Sequence, residues 1–64
     1  MCLSTIYKDK IDENNILMKN VMSIEQDKNL LIFTDLMERK LQIKAKLEKA
    51  NLVDGYVIVH LEDN

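Results

Sequence analysis

The sequence predicts a small all-β domain, five short strands joined by tight turns and curled into a barrel or a strongly bent sheet. Three observations carry this. Residues 41–48, Leu41-Gln42-Ile43-Lys44-Ala45-Lys46-Leu47-Glu48, alternate apolar and polar without a break, which is the period of a half-buried strand. Asp54-Gly55, the strongest turn signal in the chain, stands before the apolar run Tyr56-Val57-Ile58-Val59. No apolar stretch exceeds four residues, as in Leu30-Leu31-Ile32-Phe33, so a core has to be assembled from several short segments.

The elements follow in order. Residues 2–8 contain Thr5, Ile6 and Tyr7, β-branched and aromatic types that suit a strand. Residues 9–15 are polar and read as a loop. Residues 16–26 are mixed: Met18, Val21, Met22 and Ile24 fit neither period well, although Met22 and Ile24 begin an alternation. Asp27-Lys28-Asn29 has turn chemistry, and residues 30–35 form an apolar run ending in Thr34-Asp35. Residues 36–50 are rich in Glu, Lys, Leu and Ala, and intrinsic propensity favours a helix there. On a helix Leu41, Ile43, Ala45 and Leu47 would scatter over several faces, whereas on a strand they share one. Period is given precedence, with a helix over 36–50 as the alternative. The last strand runs from Tyr56 to Leu61.

Size and composition narrow the function classes. A chain of 64 residues is one domain, 1–64, and buries only about 60% of its unfolded surface. Such a core usually needs a metal, a disulfide or a partner chain. With 47% apolar and 31% charged residues it is too apolar for disorder. A net charge of -2 argues against a basic nucleic-acid binder. One cysteine excludes an internal disulfide framework. No apolar run is long enough for a bilayer, and no basic leader precedes an apolar region, so the expected setting is the cytoplasm, away from membranes. No catalytic constellation is visible in the sequence, and an enzyme is not expected.

Several residues could carry binding chemistry. Asp9, Asp12 and Asn14 are spaced loosely like calcium-loop ligands, but the glycine of that loop is missing. Lys40, Lys44 and Lys46, with Arg39 and Lys49 nearby, form the one basic stripe. It reads as a solvated face, or alternatively as an RNA phosphate contact; the aromatics Tyr7, Phe33 and Tyr56 form no run for base stacking. Met18 and Met22 could offer soft sulfur to copper but serve better as core filler. His60 is the lone histidine, a strand side chain with metal binding as the alternative. Cys2 is either a small buried apolar residue or a ligand. Its thiolate lies beside the Met1 amine, or beside its own amine if Met1 is removed. Nitrogen and sulfur donors in fused five-membered chelate rings suit square-planar Ni(II) or Cu(II) better than tetrahedral zinc. One chain has too few such donors, and two chains would supply two thiolates and two amines while extending the marginal core.

The opening Met1-Cys2-Leu3, five strand-like segments and the apolar-acidic ending Val57-Ile58-Val59-His60-Leu61-Glu62 resemble the CooT family over essentially the whole chain. That resemblance implies a small five-stranded SH3-like barrel, a homodimer, and Ni(II) bound through Cys2. It further implies a metallochaperone-like accessory protein that supplies a nickel enzyme such as carbon monoxide dehydrogenase, or its maturation machinery. The small-barrel fold also keeps an RNA-binding role as the alternative, although nucleic acid is disfavoured by the charge. Relatives often place a glycine and then an acidic residue in the turn after the third strand. This chain has Leu36-Met37-Glu38-Arg39 there.

Overall fold

The structure, a computed structural model, describes residues 3–62. Five strands, β1 (Ser4–Lys8), β2 (Ile16–Asp27), β3 (Leu30–Asp35), β4 (Lys40–Asn51) and β5 (Tyr56–Leu61), form a closed barrel in chain order. The expected five-stranded SH3-like architecture is the one observed. Consecutive strands pair antiparallel. An odd number of alternating strands leaves the first and last running the same way. The seam is therefore parallel, from Thr5 opposite Tyr56 to Lys8 opposite Val59.

Residues 40–51 are strand, so the alternating period prevails over helix propensity. Leu41 and Ile43 are half-buried and Ala45 is buried, while Lys40, Gln42, Lys44 and Lys46 face solvent. Burying one apolar face yields about 25 cal/mol per Å², against propensity differences of a few tenths of a kcal/mol per residue. Leu47 departs from the expected shared face and is 53% exposed. A bulge between Leu47 and Lys49 breaks the alternation there. β4 also ends later than the alternation alone indicates, and residues 52–55 make the turn.

The mixed segment 16–26 is one long strand with interruptions. Its pairing with β1 slips between Val21 and Met18, and its pairing with β3 slips between Val21 and Ser23. Asn20 has a φ of 57°, a left-handed conformation that asparagine tolerates. These irregularities bend β2 so that it serves both β1 and β3. They also explain its unclear period. Val21 is buried, yet Met22 and Ile24 stay exposed. The expected loop 9–15 holds one local element, a 3-10 turn at Glu13–Asn15, capped where the Asp12 carboxylate accepts from the Asn14 N–H at 2.9 Å.

Ile6, Val21, Leu31, Phe33, Ala45, Val57 and Val59 make the buried core, with Leu17, Met18, Leu41, Ile43 and Leu61 packed against it. Every strand contributes, so no strand can leave without opening the core. The accessible surface is 4662 Å², above the ~4,200 Å² expected for a compact protein of this mass. Phe33, fully buried, is the largest core side chain. Phe33→Ala is expected to cost about 3–5 kcal/mol, comparable to the whole stability of a small domain. Urea denaturation followed by circular dichroism should show loss of the cooperative transition.

Candidate metal centre

The expected ligand Cys2 lies outside the described residues. The structure does describe the strand it leads into. The Thr5 N–H donates to the Gly55 carbonyl at 2.9 Å, and the Gly55 N–H donates to the Asn51 carbonyl at 2.9 Å. Gly55 has a φ of 77°, and a Cβ there would sit 3.0 Å from the Leu3 carbonyl oxygen. Only glycine combines that φ with so close an approach. Residues 51–55 are further ordered by the Asn51 side chain, whose Oδ1 accepts from the N–H groups of Val53 and Asp54 at 3.1 and 2.9 Å. Its Nδ2 donates to the Asp54 carboxylate. Leu3 therefore leads into β1 against a hydrogen-bonded turn.

Apolar side chains surround that entry. A groove of ≈ 290 Å³ is lined by Ser4, Val21, Met22, Ser23, Ile24 and Leu52. Leu52 is 65% exposed and its neighbour Val53 is 93% exposed. Buried Ser4 pairs with Val21 across β1 and β2. The sequence hinted at Met22 and Ile24 through their alternation, but not at their meeting Leu52, which is remote in the chain.

The other candidates separate. Met18 packs on the core and Met22 lines the groove, so the pair shares no site. The Asp9 carboxylate meets His60 Nδ1 at 2.9 Å and Asp12 caps the 3-10 turn, so the calcium-like spacing serves local structure. Among the described residues no group of three or more His, Cys, Asp or Glu is placed to hold a metal ion. The basic stripe is divided. Lys40 lines a cleft with Lys19 and Arg39. Lys46 lies across from His60 and 3.7 Å from the Glu62 carboxylate. Phe33 is buried and the Lys49 ammonium stands 5.9 Å from the Tyr56 ring centre, which leaves those aromatics engaged elsewhere.

Asp35 is the residue that sequence reasoning missed. It appeared only as the polar end of a strand. Its carboxylate is buried, and Oδ1 accepts from the N–H groups of Met37 and Arg39 at 3.0 and 2.8 Å. Oδ2 accepts from Arg39 Nε at 2.8 Å. An acid closing a strand with an arginine four residues on was the available signal. Burial alone pushes this carboxyl up. The Arg39 N–H, the Arg39 guanidinium and the Met37 N–H outweigh burial and hold it below the usual carboxylate range. In the same loop Glu38 has a φ of 65°, near the place where the family resemblance expects glycine. The Asp35 bonds hold a non-glycine residue in a conformation it disfavours.

The closed barrel defines a small SH3-like β-barrel protein. A family model described as CO dehydrogenase accessory protein CooT matches residues 1–60, and the chain belongs to the CooT family. No curated protein matches it. It is similar in structure to a crystal structure assigned to a CooT from Carboxydothermus hydrogenoformans, with a TM-score of 0.84 and 21% identity, covering 97% of this chain and 100% of that one. That likeness bears on the fold. Family membership makes the chain a carbon monoxide dehydrogenase accessory protein in kind.

Two outcomes follow from the loop. A carboxyl lowered on folding contributes stability above its unfolded pKa of about 4 and loses it as pH falls through the lower folded value. Asp35→Asn should therefore lower the melting temperature at neutral pH and narrow its gap to wild type below about pH 4. Thermal melts across that range measure this. Glu38→Gly should stabilise the protein by about 1 kcal/mol by removing the left-handed strain, read from the urea midpoint.

Proposed function

We propose that this protein is a nickel-binding accessory protein of the cytoplasm. It holds Ni(II) as cargo through the Cys2 thiolate and neighbouring backbone nitrogens at a homodimer interface. It then delivers the metal to a nickel enzyme under assembly, carbon monoxide dehydrogenase being the one its family description names.

The observation that supports this reading best is the apolar surface around the entry of β1. Met22, Ile24, Leu52 and Val53 stand exposed where Leu3 passes the Gly55 turn. A second chain laid there would cover them, and Cys2 directly precedes Leu3 in the chain. The core is small and the surface larger than expected, so pairing would also stabilise the fold. The donor chemistry agrees: thiolate sulfur with amine or amide nitrogen favours a square-planar Ni(II) centre. A thiolate must form first, so affinity rises with pH. A ligand pair on a chain terminus gives the metal up more readily than an enclosed cage, which suits transfer. The RNA-binding alternative draws less support, because Lys46 meets an acid and Tyr56 is covered by Lys49.

A Ni(II) titration followed by ultraviolet-visible absorption tests the proposal. Thiolate-to-nickel charge-transfer bands should saturate at one metal per two chains and vanish in Cys2→Ser. Saturation at one metal per chain would keep nickel and reject the shared site. Unchanged nickel affinity in the variant would overturn Cys2 as the ligand.

A further inference from the structure

We propose that the cleft between the bend of β2 and the β3–β4 loop docks an acidic segment of the client protein, with Met37 as the apolar anchor. The inference rests on the delivery role above and names the surface that would meet the recipient.

The cleft has a volume of ≈ 530 Å³. Half-buried Leu17, Met18 and Leu41 give it an apolar floor, and exposed Lys19, Arg39 and Lys40 give it a cationic rim. The loop stands at its edge, because the Leu36 N–H donates to the carbonyl of Asn20, one of its lining residues, at 2.8 Å. Leu36 is 54% exposed and Met37 73%. Apolar side chains in water at a loop tip are ordinarily mobile. Here the loop is fixed: Asp35 binds the Met37 and Arg39 N–H groups, the Asp35 N–H donates to the Arg39 carbonyl at 3.0 Å, and the Glu38 N–H donates to the Asp35 carbonyl at 2.9 Å. A partner seating Met37 would pay little for ordering the loop, and methionine adapts to irregular sockets.

Charge selects the partner. The acids at this surface are Asp35, whose carboxylate is already matched by Arg39, and Glu38 on the loop. With Arg39 and Asp35 paired, Lys19 and Lys40 outnumber Glu38 on a chain whose net charge is -2. A local cationic field on an acidic protein attracts and orients an acidic surface. The lining residues of this cleft and of the groove at the β1 entry do not overlap, and neither Met37 nor Lys40 lines the groove. Nickel binding and client docking can therefore be perturbed separately.

The test uses the full chain, nickel-loaded, and the purified apo form of the carbon monoxide dehydrogenase from the same organism. Biolayer interferometry at low and high salt gives the Kd, and loss of the thiolate-to-nickel bands follows transfer. The wild type should bind, more weakly at high salt. Met37→Asp and Lys40→Glu should each weaken binding about tenfold, with the nickel titration and circular dichroism unchanged. The two variants alter different chemistry, so misfolding of one leaves the other informative. Transfer by the wild type with undiminished binding by both folded variants would overturn the docking surface and leave the delivery role standing. Absence of nickel binding and transfer in the wild type would overturn the delivery role and this inference with it. Conversion of a wild-type dimer to a monomer by Met37→Asp, seen by sedimentation, would assign the surface to a second copy of the chain and overturn the client assignment.

Discussion

Closure of the barrel by β1 is the constraint on which the rest depends. Five strands without a partner sheet or helix leave two edges, and an unpaired edge is both unstable and prone to association. β1 removes both edges by pairing with β2 on one side and β5 on the other. It carries Ile6, which is fully buried, into contact with a core drawn from every strand. The same closure places Leu3 against the turn at Gly55. A chain of this size has no spare strand to close the barrel without its N-terminus.

A second device stabilises the opposite kind of region, a short loop with no apolar interior. The buried Asp35 carboxylate satisfies loop N–H groups that would otherwise lack partners, and Arg39 balances its charge. Burying a carboxylate is favourable only when it is bonded on this scale. The arrangement also holds Glu38 in the left-handed region. With no glycine in this turn, the chain uses hydrogen bonds to impose the backbone. The consequence is a loop whose two apolar residues keep a defined place in water.

The surface and the proposed function share a physical cause. A 64-residue barrel cannot enclose all its apolar side chains, and those left outside include Met22, Ile24, Leu52 and Val53 near the β1 entry and Leu36 and Met37 at the β3–β4 loop. Two such surfaces suit the proposed role, in which one partner shares the metal and another receives it. A carrier whose ligands stand at a chain terminus, with its docking face elsewhere, can engage a recipient without first uncovering the metal.

Local pattern determined much of this in advance. Alternation at residues 41–48 specified a strand against its own helix propensity, because a shared apolar face outweighs small backbone preferences. Asp54-Gly55 marked a turn, since few residues accept a positive φ, whereas donor chemistry alone left Cys2 open between a buried apolar residue and a ligand. Tertiary structure decided the rest. The bend of β2 hid its period, because a bulge shifts which face each side chain takes. Leu47 stays exposed in β4, beyond Lys44, the last residue paired with β3, and next to a bulge. Asp35 looked like an ordinary polar strand end, since its partners come from a loop whose path depends on the pairing of β3 with β2 and β4. The meeting of Met22 and Ile24 with Leu52 was equally invisible, being a product of barrel closure. Short-range geometry is written in neighbouring residues, whereas burial, bulges and clefts arise only when distant strands compete for one small core.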